Sequence, residues 1–209
     1  MKLVIFGASG KTGQHLVSQA LEQGHQVIAF ARNPAKIKIE HANLKVVQGN
    51  VSDYSAVESA IKGQDVVLSA LGAASPFKFD PVLVDGVDNI IKAMEATGVS
   101  RFIYLSFIGV GEGRRDAGFV IKNIAPKILK AEIEGHRQRE AMIEKSKLQW
   151  TIVHAPTLSN GKRKAVYRNG TNISSKGFVV SMARADVADF MLQQIHHSDY
   201  VHSRARVMY

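Results

Sequence analysis

The sequence predicts an α/β fold: a three-layer, doubly wound parallel sheet in a single domain. Short apolar runs of β-branched and aromatic residues alternate with amphipathic segments of helical length. A glycine-rich turn follows the first apolar run at once, and no low-complexity stretch divides the 209 residues. With 45% hydrophobic and 22% charged residues, the composition is that of an ordinary globular domain.

The first half of the chain predicts four strands and three helices. The strands are expected at Lys2–Phe6, Gln26–Ala31, Leu44–Gln48 and Asp65–Ala70. The helices are expected at Lys11–Gln23, from Ser52 or Asp53 to Lys62, and at Pro81–Thr97. Gly24, Gly63 and Gly98 follow these helices, and glycine is the residue that most readily ends a helix.

The second half predicts two further strands of the same sheet, Arg101–Ser106 and Trp150–Val153, joined through a helix at Ala125–Ser146. The glycine- and arginine-rich loop 109–118 is interpreted either as a basic lid over a substrate or as a long connection. The remainder predicts a hairpin across Asn169-Gly170, a helix capped near Arg184–Asp186 and a terminal strand at Ala205–Met208.

The glycine-rich turn reads Gly7-Ala8-Ser9-Gly10-Lys11-Thr12-Gly13. Gly7 would permit the tight turn, Gly10 would let the backbone approach a pyrophosphate, and Gly13 would let the helix lie close to the strand. Because a helix N-terminus attracts negative charge, strand, turn and helix together predict a dinucleotide-binding Rossmann fold. The residues expected to contact the dinucleotide here are Gly7, Ser9, Gly10, Lys11, Thr12 and Gly13.

The second predicted strand is followed by Arg32 rather than by an acidic residue. NAD-specific enzymes place an Asp or Glu there, which accepts a hydrogen bond from the ribose 2′-hydroxyl. A guanidinium instead suits a 2′-phosphate, and Lys36 adds a second positive charge nearby. The sequence therefore predicts that NADP(H) is preferred over NAD(H), with an exposed surface arginine as the alternative.

The formal net charge is +9, and the whole excess lies in the second half of the chain. Residues 1–100 hold nine Lys/Arg and nine Asp/Glu, whereas residues 101–209 hold eighteen and nine. This distribution predicts either an electropositive mouth that steers an anionic small molecule or a solvated basic surface. The tight basic cluster Lys162–Lys164 has no interleaved aromatic residue, so nucleic-acid binding is not favoured.

The chain contains no cysteine, which rules out a disulfide framework and a thiolate zinc site, and no metal site is predicted. The apolar run Leu3–Phe6 is far too short for a signal-peptide core or a membrane span. We therefore expect a cytoplasmic protein that is not bound to a membrane. It would be a monomer or a weak homodimer, with a small-molecule acceptor as its partner.

These motifs resemble the atypical short-chain dehydrogenase/reductase superfamily, specifically the NmrA-like branch that includes flavin reductase (biliverdin-IX-beta reductase). The resemblance covers essentially the whole chain. Besides the glycine-rich turn, it rests on Ala31–Pro34, Gly49–Val51, Ser69–Gly72, Ser106 and Trp150–Val153. It implies one NAD(P)-binding Rossmann domain over residues 1–209, with the substrate side built mainly from residues 107–209.

The resemblance also implies roles for single residues. Asn50 and Val51 would flank the adenine, Ala70 to Gly72 would line the middle of the cofactor, and Pro156 and Leu158 would lie beside the nicotinamide. Thr157 stands where such reductases carry a histidine that faces the site. The cofactor set beyond the glycine-rich turn is then Arg32, Asn33, Asn50, Val51, Ala70, Leu71, Gly72, Ser106, Pro156, Thr157 and Leu158.

One departure from the superfamily affects the chemistry. The Tyr-x-x-x-Lys pair of classical members falls on Glu132 and His136, and no Tyr elsewhere is followed by Lys four residues later. This absence disfavours an epimerase or alcohol dehydrogenase mechanism. The flavin reductase type also lacks the pair and carries a histidine at the position of His136, which favours a reductase.

Ser106 and His136 are the candidate catalytic residues. Ser106 ends a strand at the edge that borders the crevice of an open α/β sheet, so it could bind the nicotinamide amide or a substrate oxygen, or merely cap local backbone. His136 could donate a proton near neutral pH, hold a ribose hydroxyl, or be a plain surface residue of its helix. For His154 we favour a structural role, the satisfaction of a buried backbone group, over contact with the nicotinamide.

Two functions follow from these expectations. The first is an NADPH-dependent oxidoreductase that transfers hydride to a flat acceptor such as a flavin or a quinone, a reaction that needs mainly proximity and orientation of two rings. The second is a non-catalytic NmrA-like regulatory protein that senses NADP(H) and presents its basic C-terminal half to a partner.

Overall fold

The computed structural model describes residues 1–73, 75–175 and 177–209. These ranges contain ten strands: β1 (Lys2–Phe6), β2 (Gln26–Ala31), β3 (Leu44–Gln48), β4 (Val66–Ser69), β5 (Arg101–Phe107), β6 (Gln149–Ala155), β7 (Thr157–Ser159), β8 (Arg168–Gly170), β9 (Ser181–Ala183) and β10 (Ser203–Met208). The α-helices are α1 (Lys11–Glu22), α2 (Tyr54–Ile61), α3 (Pro81–Thr97), α4 (Ala125–Ile128), α5 (Lys130–Lys145) and α6 (Arg184–Gln193). Short 3-10 turns lie at Pro34–Lys36 and Gly111–Asp116, and a π-helical turn at Val120–Ile124.

Eight of the strands form one sheet in the order β3-β2-β1-β4-β5-β6-β10-β8. Neighbouring strands of this sheet pair in parallel, except that β8 pairs antiparallel with β10. The chain order reverses beside β1, which pairs with β2 on one side and with β4 on the other. In open α/β sheets this reversal opens a crevice at the carboxyl ends of the strands, where ligands bind.

Two apolar cores make the three layers. Strand residues such as Ile5 and Val153 point to one face and pack against α1 and α6. Their neighbours in sequence, such as Val4 and Ile152, point to the opposite face and pack against α2, α3 and α5. Successive strand residues point to opposite faces of the sheet. A strand that is apolar along its whole length therefore needs helices packed on both faces, as is observed here.

The predicted fold class is confirmed, and the first five predicted strands lie where they were expected within one or two residues. The sixth is longer than predicted, Gln149–Ala155, and carries His154 inside the sheet. The terminal strand begins at Ser203 and extends the parallel sheet beyond the six predicted strands by pairing with β6.

Two predictions in the second half are wrong. Asn169-Gly170 is not a hairpin turn but part of β8, which pairs antiparallel with β10 through Asn169 and Val207. The tertiary pairing with the last strand overrides the local turn preference of an Asn-Gly pair. The helix predicted from Ala125 to Ser146 is broken at Leu129, which has non-helical ψ and separates α4 from α5.

Helix α6 begins at Arg184 as predicted, but no side chain caps it. Its buried Asp186 instead accepts hydrogen bonds from the backbone N–H groups of Lys164 and Ala165 and from the Tyr209 hydroxyl. The acid therefore fastens the loop before β8 to the helix. Across the described ranges, no helix combines the length and the hydropathy that crossing a bilayer requires.

Candidate active site

The turn after β1 has the geometry that its glycines predict. Gly7 has a φ of 77°, and a Cβ there would lie 2.7 Å from the backbone of Ala70, the residue that follows β4. A Cβ on Gly13 would lie 2.1 Å from the Gly7 carbonyl oxygen, so only glycine lets α1 approach the strand this closely. Gly10, the N-cap residue of α1, offers no side chain, and the first backbone N–H groups of the helix have no side-chain cap. The backbone thus forms a cradle at a helix N-terminus, which fits a diphosphate.

Two cavities adjoin this turn. The smaller cavity, of about 310 Å³, lies at the ends of β1, β2 and β3. Arg32, Lys36 and Asn50 line it at its exposed side, and the buried Val51 lines it from below. Of the other predicted cofactor residues, Gly7, Ser9, Gly10, Ala70, Leu71 and Gly72 also line it. The structure thus brings the predicted adenosine-side residues to one place.

Asn33 is the exception. Its side chain accepts a hydrogen bond from the backbone N–H of Ala35 at 3.1 Å and so caps the 3-10 turn that carries Lys36. It does not line the smaller cavity in the described part of the chain. Asn33 therefore positions Lys36 rather than facing the cavity.

The larger cavity, of about 620 Å³, lies beyond the carboxyl ends of β5 and β6 and shares Gly10 and Ala70–Gly72 with the smaller cavity. Ser106 and His136 lie on its wall, as do the predicted residues Lys11, Thr12, Pro156, Thr157 and Leu158. Gly13 lies outside both linings, because its place is against the Gly7 carbonyl.

Much of the larger cavity's wall is aliphatic. The π-helical turn and α4 cross one side of it and contribute Val120, Ile121, Ala125, Ile128 and Leu129. Ile128 is 56% exposed at the rim of this wall. The break at Leu129 lets this segment turn across the cavity instead of continuing α5.

Ser106, His136 and Glu132 form a hydrogen-bonded group on the polar side of the larger cavity. The Ser106 Oγ lies 3.0 Å from His136 Nδ1, and His136 Nε2 lies 3.0 Å from Glu132 Oε1. The Tyr104 hydroxyl approaches the same Nδ1 at 3.4 Å from below. Since Glu132 and His136 are one helical turn apart on α5, both face β5, and His136 is 7% exposed rather than on the surface.

The group continues beneath α5 through two residues that the sequence did not assign to a site. Ser106 donates to Glu140 Oε1 at 2.5 Å, and the same oxygen lies 2.9 Å from His154 Nε2. Our interpretation of His154 as the partner of a backbone group is therefore wrong, because its partner is a buried carboxylate. Glu140 is 1% exposed, and its other oxygen lies 3.4 Å from Arg204 Nε, at ion-pair distance but without a hydrogen bond.

The electrostatics of this group follow from its burial. Burial lowers the pKa of His136, although Glu132 opposes the effect, so the imidazole is neutral at pH 7. Burial raises the pKa of Glu140, but the hydrogen bonds from His154 and Ser106 and the charge of Arg204 outweigh it and hold that pKa below its usual range. The pKa of Glu132 is likewise lowered by His136 against the effect of burial. Two carboxylates thus flank a neutral imidazole and a hydroxyl.

The loop 109–118 is not a lid over the larger cavity. It forms the 3-10 turn Gly111–Asp116 and packs against β10, where Asp116 pairs with Arg206 at 3.0 Å. None of its described residues lines the larger cavity. This position of the loop favours the long connection over the basic lid.

Four arginines of the second half form ion pairs within the described part of the chain: Arg137, Arg163, Arg204 and Arg206. Arg163 pairs with Asp189 of α6, and the Lys164 ammonium lies 4.4 Å from the centre of the Tyr209 ring. From this half, Arg184 is the basic residue that lines the larger cavity in the described chain, where it donates to Asn160 Oδ1 at 2.7 Å. The structure therefore supports a largely apolar mouth more than a strongly electropositive one.

The sequence reasoning missed Glu132 and Glu140 as site residues. A signal was present, because Glu132, His136 and Glu140 recur every four residues and so share one helix face. Three ionisable residues on a face that must cover a sheet predict a polar cluster rather than a plain core.

Comparison with known proteins agrees with this geometry. Residues 7–198 match the model of a family described as NAD(P)H-binding. An uncharacterised protein of Mycobacterium tuberculosis is 27% identical over 200 residues, which are 95% of this chain and 19% of that protein. A 2-alkyl-3-oxoalkanoate reductase of Stenotrophomonas maltophilia is 33% identical over 110 residues, 51% of this chain and 33% of the reductase. The chain therefore spans about a fifth to a third of the length of these relatives.

Among solved structures, a short-chain dehydrogenase/reductase from Veillonella parvula, determined in complex with NADP, superposes with a TM-score of 0.79. The match covers all of this chain and 94% of the other at 20% identity. At that identity the likeness shows the fold.

Proposed function

The chain belongs to the NAD(P)H-binding family, whose fold it shares with NAD(P)-dependent dehydrogenases and reductases, and on that premise we propose that it is an NADPH-dependent reductase of a flat, largely apolar acceptor such as a flavin or a quinone. The resemblance to atypical short-chain dehydrogenases/reductases of the NmrA-like branch is confirmed. The observation that carries the proposal is the larger cavity, in which an aliphatic wall faces the group Ser106–His136–Glu132.

The residues present fit a dinucleotide. A Cβ on Gly7 or Gly13 would collide with backbone, and the cradle that these glycines leave has the shape and polarity for a diphosphate. Arg32 and Lys36 line the smaller cavity, where a 2′-phosphate on the adenosine would meet two positive charges. This pair supports a preference for NADP(H) over NAD(H).

The aliphatic wall favours an uncharged ring as acceptor. Ile121, Ile128 and Leu129 offer contact area to an apolar face, and a ring laid against them would lie across the cavity from Ser106 and His136. The Stenotrophomonas relative is a reductase of 2-alkyl-3-oxoalkanoates by its name, and such an alkyl-bearing ketone would suit the same wall. A flavin or a quinone remains our first choice because it presents a flat ring with reducible polar atoms.

Reduction of such an acceptor consumes one hydride and one proton. The bound dinucleotide supplies the hydride, and the residues of this chain hold the acceptor and supply the proton. Glu132 is the most accessible member of the hydrogen-bonded group, with a side chain 17% exposed against 9% for His136. We therefore assign Glu132 as the residue that meets the acceptor, with His136 and Ser106 delivering the proton to it.

Consumption of NADPH by the purified protein tests this function. We expect at least one of riboflavin, FMN, a naphthoquinone or an ethyl 2-alkyl-3-oxoalkanoate to accelerate the loss of NADPH, followed by its absorbance. NADPH binding with micromolar affinity and no turnover across this panel would contradict the reductase and leave the NADP(H) sensor. A sensor must bind a partner differently with NADPH and with NADP, which a pull-down under both conditions would measure.

A further inference from the structure

A groove of about 480 Å³ lies beside the C-terminal end of α5, whereas Glu132 and His136 border the larger cavity from the N-terminal half of the same helix. His154, Arg204 and Arg206 form its floor on β6 and β10, and Glu144 borders it from α5. We call this the lateral groove. His154, which is 2% exposed, therefore lies between two environments: its Nε2 is 2.9 Å from the buried Glu140, while its ring borders the lateral groove.

We propose that the side chains Glu132, His136, Ser106, Glu140 and His154 form a proton relay that runs beneath α5 and supplies the larger cavity from the lateral groove. The proposal rests on the proposed reductase function. Its four links are all within hydrogen-bond distance, at 3.0 Å, 3.0 Å, 2.5 Å and 2.9 Å in that order from the cavity.

Each member of the relay can both accept and donate a proton. A carboxylate, an imidazole and a hydroxyl alternate along it, and no link depends on a group such as a guanidinium that holds its proton permanently. First, a proton on His154 Nε2 passes to the anionic Glu140, and Ser106 turns its hydroxyl hydrogen from Glu140 to His136 Nδ1. Glu140 then gives a proton to Ser106, Ser106 gives its own to His136 Nδ1, and His136 gives the one on Nε2 to Glu132. One proton thereby leaves Glu140 and one arrives at Glu132, and every hydrogen bond is remade with the opposite direction.

Neighbouring side chains lie against polar atoms of the relay, so that the proton has one route. Arg204 holds the other oxygen of Glu140 at 3.4 Å, and Tyr104 closes His136 Nδ1 from below at 3.4 Å. Arg139, on the same helix and 1% exposed, donates to the Gly135 carbonyl and adds positive charge beside His136. These charges favour the anionic resting state of both carboxylates, so a proton that enters at His154 has an acceptor ahead of it.

A relay is needed because the mouth of the larger cavity would be filled in turnover. A dinucleotide and an acceptor lying against Ser106 and Glu132 would separate these groups from water, while each turnover consumes one proton. The lateral groove stays open to solvent whether or not the cavity is filled. Proton supply and substrate entry would thus lie toward different ends of α5.

The first test measures the coupling between the two histidines of the relay and needs no enzymatic turnover. In protein labelled with ¹⁵N at histidine, we expect Glu140→Gln to shift the ring nitrogen signals of both His154, its neighbour, and His136, which it reaches only through Ser106. Glu134→Gln is the matched control, because Glu134 lies on α5 outside the relay and pairs with Arg137 on the exposed side of the helix. Shifts at His154 alone would overturn the proposal. Ser106→Ala gives a second reading if Glu140→Gln does not fold, since it should uncouple the two histidines.

The second test uses turnover and chemical rescue. We expect His154→Ala to lower kcat at least tenfold with an unchanged Kd for NADPH, and added imidazole to restore most of it. Pyrazole has the same size but is far less basic, so it should not. His202→Asn, a histidine of the same groove that bonds the Leu148 carbonyl instead, should keep wild-type kcat.

Wild-type kcat in His154→Ala, or rescue by pyrazole equal to that by imidazole, would overturn the relay. If the wild-type protein reduces no acceptor, the proposed function fails, and the histidine spectra still decide the relay by themselves.

Discussion

His136 Nε2 lies 3.0 Å from Glu132 Oε1, one helical turn apart on α5. On the resemblance to short-chain dehydrogenases/reductases, these are the positions at which classical members carry lysine and tyrosine, so that a carboxyl and an imidazole would replace a phenol and an ammonium. Both pairs can hold a proton beside a reacting oxygen, but the pair in this protein does so with groups of lower proton affinity.

We expect Glu132→Gln to lower kcat about a hundredfold, the usual contribution of a positioned proton donor, while the Kd for NADPH stays unchanged. Glutamine keeps the size and one hydrogen bond to His136 but carries no proton for the acceptor. Steady-state kinetics and calorimetry measure the two quantities. Glu134→Gln is the control, since Glu134 lies on the outer face of the same helix and pairs with Arg137. Equal rates in the two variants would remove Glu132 from the reaction.

Arg32→Ala tests the cofactor preference. Loss of a charge-assisted contact of about 1.5–3 kcal/mol should raise the Kd for NADPH about 10- to 100-fold and leave the Kd for NADH unchanged. Isothermal titration with both dinucleotides measures the change. Lys38→Ala, in the same loop but outside the smaller cavity lining, should bind both as the wild type does. Discrimination that survives in Arg32→Ala would show that the guanidinium does not read the 2′-phosphate.

Gly13→Ala tests the close approach of α1 to β1. Its Cβ would lie 2.1 Å from the Gly7 carbonyl oxygen, and we expect a loss of about 2–3 kcal/mol of unfolding free energy together with dinucleotide binding. Gly24→Ala is the comparison, because Gly24 has a φ of 79° and open space around it. It should cost only about 1–2 kcal/mol of backbone strain and leave binding intact. Chemical denaturation and calorimetry separate these outcomes.

Acid should destabilise the protein partly through His136. Its pKa is lowered in the folded state below 6.5, so the unfolded chain takes up a proton that the folded chain refuses as the pH falls through this value. Stability from this group is complete above pH 6.5 and declines below it, by at most about 1.4 kcal/mol per pH unit. In His136→Gln, the loss of unfolding free energy between neutral and mildly acidic pH should shrink. His197→Gln, at an exposed site, should retain the wild-type slope, and an unaltered slope in His136→Gln would count against the assignment.

Ile128→Lys tests the apolar wall. Ile128 is 56% exposed at the rim of the larger cavity, so the folded state should tolerate lysine. Removing its contact with an apolar ring, about 1 kcal/mol, should raise KM for the acceptor about fivefold with no change in the Kd for NADPH. Val166→Lys, at a residue 75% exposed and outside the cavity lining, is the matched control. A lower KM for an anionic flavin in Ile128→Lys would instead indicate a charged acceptor.

The fold and the geometry of the glycine-rich turn were predictable because they follow local rules. The turn Gly7–Gly13 and the apolar strands are set by sterics and periodicity over a few residues, and the sheet follows from their order. The polar side was only half predictable. Ser106 and His136 were identified as candidates. The contact between Glu140 and His154 depends on how α5 packs on β6, and that tertiary packing could not be read from the sequence.

Where the predictions failed, a distant segment competed with a local preference. Asn169-Gly170 has the residues of a tight turn, yet β10 arrives from more than thirty residues later and pairs with it. Leu129 interrupts a helix although no glycine or proline stands there, because the segment before it turns across the larger cavity. Such outcomes depend on tertiary contacts that outweigh local propensity.

Gly10 and the segment Ala70–Gly72 belong to the walls of both cavities, so one ligand can span them. On the proposed function, the two halves of a dinucleotide would be held by separate parts of the chain and joined by a diphosphate over this shared wall. Tight binding of the intact molecule would then be a chelate effect. Each mononucleotide half, added alone, should bind orders of magnitude more weakly than the intact dinucleotide.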